Sequence, residues 1–148
     1  MEDTYIHYGH KSFNPNEFEP IRNFDVKPKG GLWASPINAK FGWKDWCERE
    51  KFEECHPDNA FIFRLKTHAN VLVIDNVEVL NTLPQIETCF TSCGWVCLDF
   101  KKIAKEYDAV ELILSKDRQL YWKLYGWDCD SIVILNKDVI EEVRAWEK

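Results

Sequence analysis

Three features are missing from this 148-residue sequence, and each absence excludes a class of protein. No apolar run approaches the ~20 residues that a membrane-spanning helix needs, so we expect no membrane partner. The first residues, Met1–Asp3, lack the basic and apolar regions of a signal peptide, which predicts a cytoplasmic protein. No repeat, low-complexity tract or linker interrupts the sequence, and its length suits one domain over residues 1–148.

An excess of positive charge is also missing. The chain has 19 Lys and Arg against 25 Asp and Glu, which gives a net charge of -6. Because a broad attraction to nucleic-acid phosphates needs positive charge, we expect a macromolecular partner to be a protein rather than a nucleic acid. The basic residues between Lys11 and Lys29 are interleaved with acidic ones, which is typical of a solvated mixed surface.

The six cysteines lack the paired CxxC spacing of a structural zinc site. Cys89, Cys93 and Cys97 recur every four residues instead. We expect reduced thiols, because disulfides are rare in cytosolic proteins. The spacing also predicts no metal site, and a protein that binds a metal through its cysteines is a weaker alternative. Thiol catalysis is not favoured, because no segment around a cysteine resembles that of a known nucleophile family.

The pattern of apolar residues predicts a mixed set of short helices and strands. Strands are predicted at 5–8, 32–34, 61–65, 71–74, 109–114 and 132–135. Helices are predicted at 36–51, 100–107, 118–125 and 138–146, and a capping or loop region at 80–86. Ser35 and Pro36 suit a helix start, and Val139, Val143 and Trp146 have helical spacing. Since strands and helices do not alternate regularly, the expected fold class is α+β.

Three short segments carry residue types suited to one reaction, the cleavage of the bond between nicotinamide and ribose in NAD. Positive charge develops on the ribose as nicotinamide leaves, so a carboxylate near that sugar stabilises the transition state. An imidazole can hydrogen-bond a ribose hydroxyl, glycine lets backbone groups approach the carboxamide, and aromatic faces can hold the ring. The residues that supply these parts are His7, Gly9, Trp33, Ser35, Trp43 and Asp130.

In these segments the sequence resembles the ADP-ribosyltransferase superfamily, in the branch with a His-aromatic-acid triad that includes the poly-ADP-ribose polymerases and related bacterial transferases. His7–Gly9 is similar to the family's opening histidine and glycine, with one residue inserted. Gly31–Ser35 followed by Trp43 is similar to its second element, with tryptophan where tyrosine is commoner, and places Gly31 in the cofactor-binding segment. Asp130–Ile134 is similar to its third element, with aspartate where glutamate is usual.

The resemblance implies a fold and a set of binding contacts. The fold would be a compact, mixed or antiparallel split sheet with flanking helices. His7 would bind the adenosine-side ribose of NAD, and Trp33 and Trp43 would hold the nicotinamide ring. Ser35 or the backbone of Gly9 would bind the carboxamide.

The resemblance also implies the catalytic residues. Asp130 would lie at the reacting ribose and act with His7 and Trp33. Because aspartate is one methylene shorter than glutamate, Asp128, which lies two residues earlier and on the same side of an extended chain, is the alternative acid.

The function expected from the resemblance is that of a mono-ADP-ribosyltransferase, which uses NAD, releases nicotinamide and modifies a macromolecule or water. A stand-alone effector, such as a toxin or a phage-type inhibitor of a host system, is the setting it implies. One alternative is a catalytically silent module on the same fold that binds a nucleotide or a protein. A second is an RNA 2'-phosphotransferase, with a phosphate at the loop Lys27–Gly31.

Overall fold

Seven strands form an open, mixed β-sheet in the computed structural model, which describes residues 4–52, 56–88 and 90–146. Their order across the sheet is β4-β5-β6-β2-β1-β3-β7. The β4–β5 pair is parallel and the other neighbours are antiparallel. In chain order the strands are β1 Thr4–Tyr8, β2 Leu32–Pro36, β3 Ala60–Leu65, β4 Val71–Ile74, β5 Ala109–Leu112, β6 Ser131–Ile134 and β7 Ile140–Ala145.

The helices of the described residues are short, which agrees with the expected α+β class. The α-helices are α1 Trp43–Glu50, α2 Val77–Asn81, α3 Phe100–Ile103 and α4 Arg118–Lys123. Single 3-10 turns lie at Pro15–Glu17, Pro57–Asn59, Thr91–Cys93, Leu114–Lys116 and Lys137–Val139. No helix within the described ranges is long and apolar enough to cross a bilayer.

Apolar side chains cover both faces of the central strands. On one face, Val133 of β6 packs with Leu80 of α2, Phe100 of α3 and Leu120 of α4. On the other face, Ile132 and Ile134 of the same strand join a cluster with residues of β1, β3 and β5. A strand buried on both faces reads as a continuous apolar run, which is why 132–135 was recognisable from the sequence.

The predicted helix 36–51 begins seven residues later than expected. Pro36 ends β2, and α1 starts at Trp43 after the N-cap residue Gly42. The Asp45 carboxylate accepts a hydrogen bond from the Gly42 amide at 2.8 Å, which closes the first turn. Ser35 still caps this helix, but from the neighbouring strand, because its hydroxyl accepts a hydrogen bond from the Trp43 amide at 2.9 Å.

The predicted helix at 138–146 is wrong, because these residues form a 3-10 turn and the edge strand β7. β7 pairs with β3 in antiparallel fashion, and the register shifts where Glu142 adopts a positive φ of 52°. The open edge of β3 supplies backbone partners that no local helical pattern reveals. The loop expected at 80–86 is also wrong in part, because its first residues belong to α2, which Asn76 caps.

Asp108 joins three strands at one end of the sheet. Its carboxylate accepts hydrogen bonds from the Asn70 amide at 2.8 Å and from Asn136 Nδ2 at 3.0 Å. Its backbone carbonyl accepts from the amides of Leu135 and Asn136, which follow β6. The bond from Asn70, followed by that from Asn136, holds the pKa of Asp108 below its ordinary value.

Replacing Asp108 by Asn should therefore lower the free energy of unfolding by about 1 kcal/mol at neutral pH. Because the folded-state pKa is lowered, the stabilisation is present above the unfolded-state pKa and disappears as the pH falls through the folded-state value. Urea unfolding of wild type and variant should show a difference that shrinks below about pH 4. The exposed Asp138, changed to Asn, is the matched control, and an Asp108 difference that does not vary with pH would contradict this account.

Candidate functional site

The sheet brings the three sequence segments onto adjacent strands. β2 lies between β1 and β6 and pairs with both, through Ile6–Ser35 on one side and Trp33–Val133 on the other. The segments are far apart in sequence, and the strand order alone places them together. The site is built around the contact between β1 and β2.

The His7 ring bridges β1 and β2 beside their backbone pairing. The two strands pair at Tyr5–Pro36 and Ile6–Ser35, and the Nδ1 atom of His7 then lies 2.6 Å from the Trp33 carbonyl oxygen. Because a carbonyl oxygen only accepts, Nδ1 carries the proton and donates it.

The other ring nitrogen of His7 is an acceptor. Burial lowers the pKa of His7, the bond to the Trp33 carbonyl opposes this, and the nearby His10 adds to the lowering. The ring is therefore mainly neutral at pH 7, with a lone pair on Nε2. His10 Nδ1 lies 3.0 Å from that atom, and a ligand hydroxyl could take its place.

A cavity of about 180 Å³ opens where β1 and β2 meet. Four of the predicted binding residues line it, namely His7, Trp33, Ser35 and Trp43. Drug-sized ligands need roughly 300 Å³ or more, so this cavity suits one flat ring rather than a whole dinucleotide. The remaining groups of a larger ligand would lie outside it.

Tryptophan rings form the walls of the cavity, and their neighbours hold them in place. Trp33 meets Trp127 edge to face with ring centroids 4.9 Å apart, and its Nε1 donates to the Gly30 carbonyl at 3.2 Å. Trp43 stacks on Trp46 at 4.8 Å with the rings 10° from parallel. Fixed aromatic faces bind a flat ring at little cost in side-chain entropy.

The two candidate acids have different surroundings. Asp130 is only 3% exposed, and its carboxylate accepts hydrogen bonds from the Ser115 amide at 2.9 Å and the Ser115 hydroxyl at 2.7 Å. Its carboxylate thus has a structural task, and its catalytic role stays a prediction. Asp128 lines the cavity, and it also lines a wider groove of about 590 Å³ next to it.

The Ser35 hydroxyl is already used by the protein. It donates to the Asp130 carbonyl at 2.9 Å and accepts from the Trp43 amide. A serine hydroxyl has a single proton, so binding a carboxamide oxygen would require breaking the bond to Asp130.

The surroundings of Cys129 do not favour a thiol nucleophile in this cavity. Cys129 lines it but is 3% exposed. Burial raises the pKa of Cys129 to about 12, and hydrogen bonding by Ser35 and the charge of Lys27 offset only part of this. The neutral thiol is a poor nucleophile at neutral pH.

Neither of the two glycines predicted to bind cofactor lines this cavity. Gly9 is exposed, and its amide donates to the Asn59 carbonyl at 2.8 Å. Gly31 lines a second cavity of about 150 Å³, which also reaches His7 and His10. The backbone of Gly9 therefore has a structural partner, whereas Gly31 belongs to the lining of the second cavity.

No group of three or more His, Cys, Asp or Glu suited to a metal ion occurs within the described ranges. Cys89, the first of the cysteines spaced by four, lies outside them. Cys93 is exposed. Cys97 is buried, and its Sγ lies 3.2 Å from Thr88 Oγ1.

Sequence reasoning missed two parts of the cavity wall. Trp127 stands three residues before Asp130, so its nearness to the third segment was a usable signal. The sequence predicts Lys27 in a mixed surface or in a phosphate-binding loop, whereas its Nζ lies 4.5 Å from the centroid of the Trp33 ring. That contact depends on the path of the loop before β2 and has no local signature.

Comparison with known proteins gives no match, whether with protein families, with curated proteins or with solved structures. The functional argument therefore depends on the geometry of the cavity and on the chemistry of its residues.

Gly31 sets the approach of β2 to β6, and a substitution can test this. Its φ is 69°, and an added Cβ would lie 2.8 Å from both the Ile134 oxygen and Val133 Cγ2. We expect Gly31→Ala to lower the free energy of unfolding by ~3 kcal/mol or more, because backbone strain and steric overlap add.

Gly94→Ala is the matched control for Gly31→Ala. Gly94 also has a positive φ, 87°, but an added Cβ there meets nothing within 4 Å. Gly94→Ala should lower the free energy of unfolding by about 1–2 kcal/mol, because only the backbone conformation is unfavourable there. If urea unfolding shows that both variants lose the same free energy of unfolding, the close approach of Gly31 to β6 does not matter for stability.

Proposed function

We propose that the chain binds NAD with its nicotinamide ring in the cavity between β1 and β2, and that it transfers ADP-ribose by breaking the nicotinamide–ribose bond. The observation that carries this proposal is the convergence of His7, Trp33, Trp43 and an acid, Asp128, on one ring-sized cavity. The proposal gives the chain the activity of the ADP-ribosyltransferase superfamily, which the three sequence segments resemble.

In this mechanism the aromatic walls hold the leaving group. Trp33 and Trp43 would contain the nicotinamide ring, while the rest of the dinucleotide extends past His7. The neutral His7 ring would accept a hydrogen bond from a ribose hydroxyl at Nε2, in place of the bond with His10. The second cavity, which His7 also lines, would take no more than the adenine ring.

The carboxylate acts on the charge that develops at the ribose. When the bond breaks, the electron pair leaves with the nicotinamide nitrogen and the sugar carbon becomes cationic. We assign Asp128 to stabilise this cation, because it lines the cavity whereas the carboxylate of Asp130 bonds to Ser115.

The acceptor would approach through the wider groove beside Asp128. That groove is lined by Phe41, Arg49, Arg118, Tyr121 and Trp122, and Trp122 is 71% exposed. Trp, Tyr and Arg are the residue types that dominate protein–protein interfaces, so the groove favours a protein acceptor, as the net charge does. A cytoplasmic toxin or phage effector is the setting that fits this proposal.

A catalytically silent binding module is the second candidate, and one observation favours it. The acid in the third sequence segment, Asp130, and the hydroxyl of Ser35 are both committed to bonds within the protein. A chain that binds NAD without releasing nicotinamide would fit these contacts.

Nicotinamide release from NAD, with Asp128→Asn and Asp130→Asn compared, tests the proposal. We expect Asp128→Asn to slow release by a factor of about 10² to 10³ while NAD binding, measured by calorimetry, weakens by less than about ten-fold. Asp130→Asn should lower the melting temperature but leave release within a few-fold of wild type, because its carboxylate supports the fold.

The other outcomes are equally informative. Loss of release in Asp130→Asn but not in Asp128→Asn, with both variants folded, would restore Asp130 as the acid. NAD binding without release, also when protein extracts are added as acceptors, would favour the silent module. Failure to bind NAD would overturn the transferase and leave a silent module that binds another nucleotide or a protein.

A further inference from the structure

The ammonium group of Lys27 lies against an aromatic wall of the cavity. Lys27 Nζ is 4.5 Å from the centroid of the Trp33 ring, and both residues line the cavity together with Asp128. A positive charge over an indole face is attracted by the ring quadrupole, and a nearby carboxylate adds to the attraction. The cavity therefore combines two features that favour a positive charge.

The Lys27 side chain is able to leave this position. The residue is exposed, and its ammonium sits on a flexible four-carbon stem that can turn toward solvent. Crowding by protein atoms desolvates the ammonium and lowers the pKa of Lys27, although Asp128 and Cys129 oppose the change. The Lys27 ammonium therefore loses part of its hydration in the cavity. It would regain that hydration when a bound ligand displaces it into solvent.

We propose that the cavity selects a positively charged flat ring, and that Lys27 occupies the cation position on Trp33 until such a ring displaces it. The proposal deepens the NAD-cleaving function and rests on it for its natural ligand. The nicotinamide ring of NAD is a pyridinium cation of this class. Lys27 is then a specificity-determining residue, without contact to the reacting bond.

The same selectivity would favour release of the product. When the nitrogen–ribose bond breaks, its electron pair passes to the ring nitrogen, and nicotinamide becomes neutral. The attraction of the ring to Trp33 and Asp128 falls as its charge disappears. Lys27 then returns to the Trp33 face, so the substrate ring is held more firmly than the product.

Calorimetric titration with two small probes tests this inference without NAD chemistry. The probes are the 1-methylnicotinamide cation and neutral nicotinamide, which differ mainly in charge. We expect wild type to bind the cation about ten-fold more tightly, the range that cation–π attraction in a desolvated site allows. Asp128→Asn should reduce the preference, because it removes the carboxylate charge.

Variants of Lys27 test its displacement. Lys27→Met removes the competing cation and should bind 1-methylnicotinamide several-fold more tightly than wild type, whereas Lys27→Arg should not. Lys29→Met is the matched control, because Lys29 lies over a different ring, Phe24, at 4.0 Å from its centroid. Its affinity for the probe should equal that of wild type.

The outcomes separate this inference from the proposed function. Equal affinity of wild type for the two probes, including no binding of either, overturns the selectivity. An unchanged or weaker affinity in Lys27→Met, with an unchanged melting temperature, overturns the displacement by Lys27. A clear preference for the cation in a chain that never releases nicotinamide from NAD would support the inference and contradict the transferase.

Discussion

The hydrogen bond from the His7 ring to the Trp33 carbonyl is the constraint on which the cavity depends. It connects β1 and β2 just beyond the positions where their backbones pair. Because the bond fixes which ring nitrogen carries the proton, it also leaves Nε2 as the acceptor. The carbonyl would lose its partner without the ring, so the imidazole supports the fold and shapes the site at the same time.

A second set of contacts ties the cavity to the far side of β2. The Ser35 hydroxyl joins the Asp130 carbonyl to the Trp43 amide, and the Asp130 carboxylate in turn holds Ser115. These residues have the chemistry of a binding site but act here as the frame that positions the tryptophans. A buried polar network of this kind is costly to disrupt, because each lost partner leaves a desolvated group unsatisfied.

Charge and shape together support the proposal that a pyridinium binds in this cavity. The volume of about 180 Å³ limits the bound part to one ring, and the tryptophan walls favour a flat one. Asp128 and the face of Trp33 both attract positive charge, and the ammonium of Lys27 lies against that face. Asp128 also borders the wider groove, so an acceptor and a ribose could meet at the same carboxylate.

Local patterns in the sequence determined the strands that are buried on both faces, the α+β class and five of the twelve residues that line the cavity. Continuous apolar runs such as 61–63 and 132–135 favour a buried strand. Patterns failed where a distant partner decided the structure. The segment 138–146 has helical spacing, but the free edge of β3 made it a strand.

The choice between Asp128 and Asp130 shows the same limit in the site. In sequence they are equivalent acids two residues apart, and only the tertiary structure turned one toward Ser115 and the other to the cavity. Lys27 reached Trp33 in the same way, through the path of a loop. The sequence by itself determined which chemical groups are present. Tertiary structure decided which of them meet, because contacts between distant segments depend on strand order and loop path.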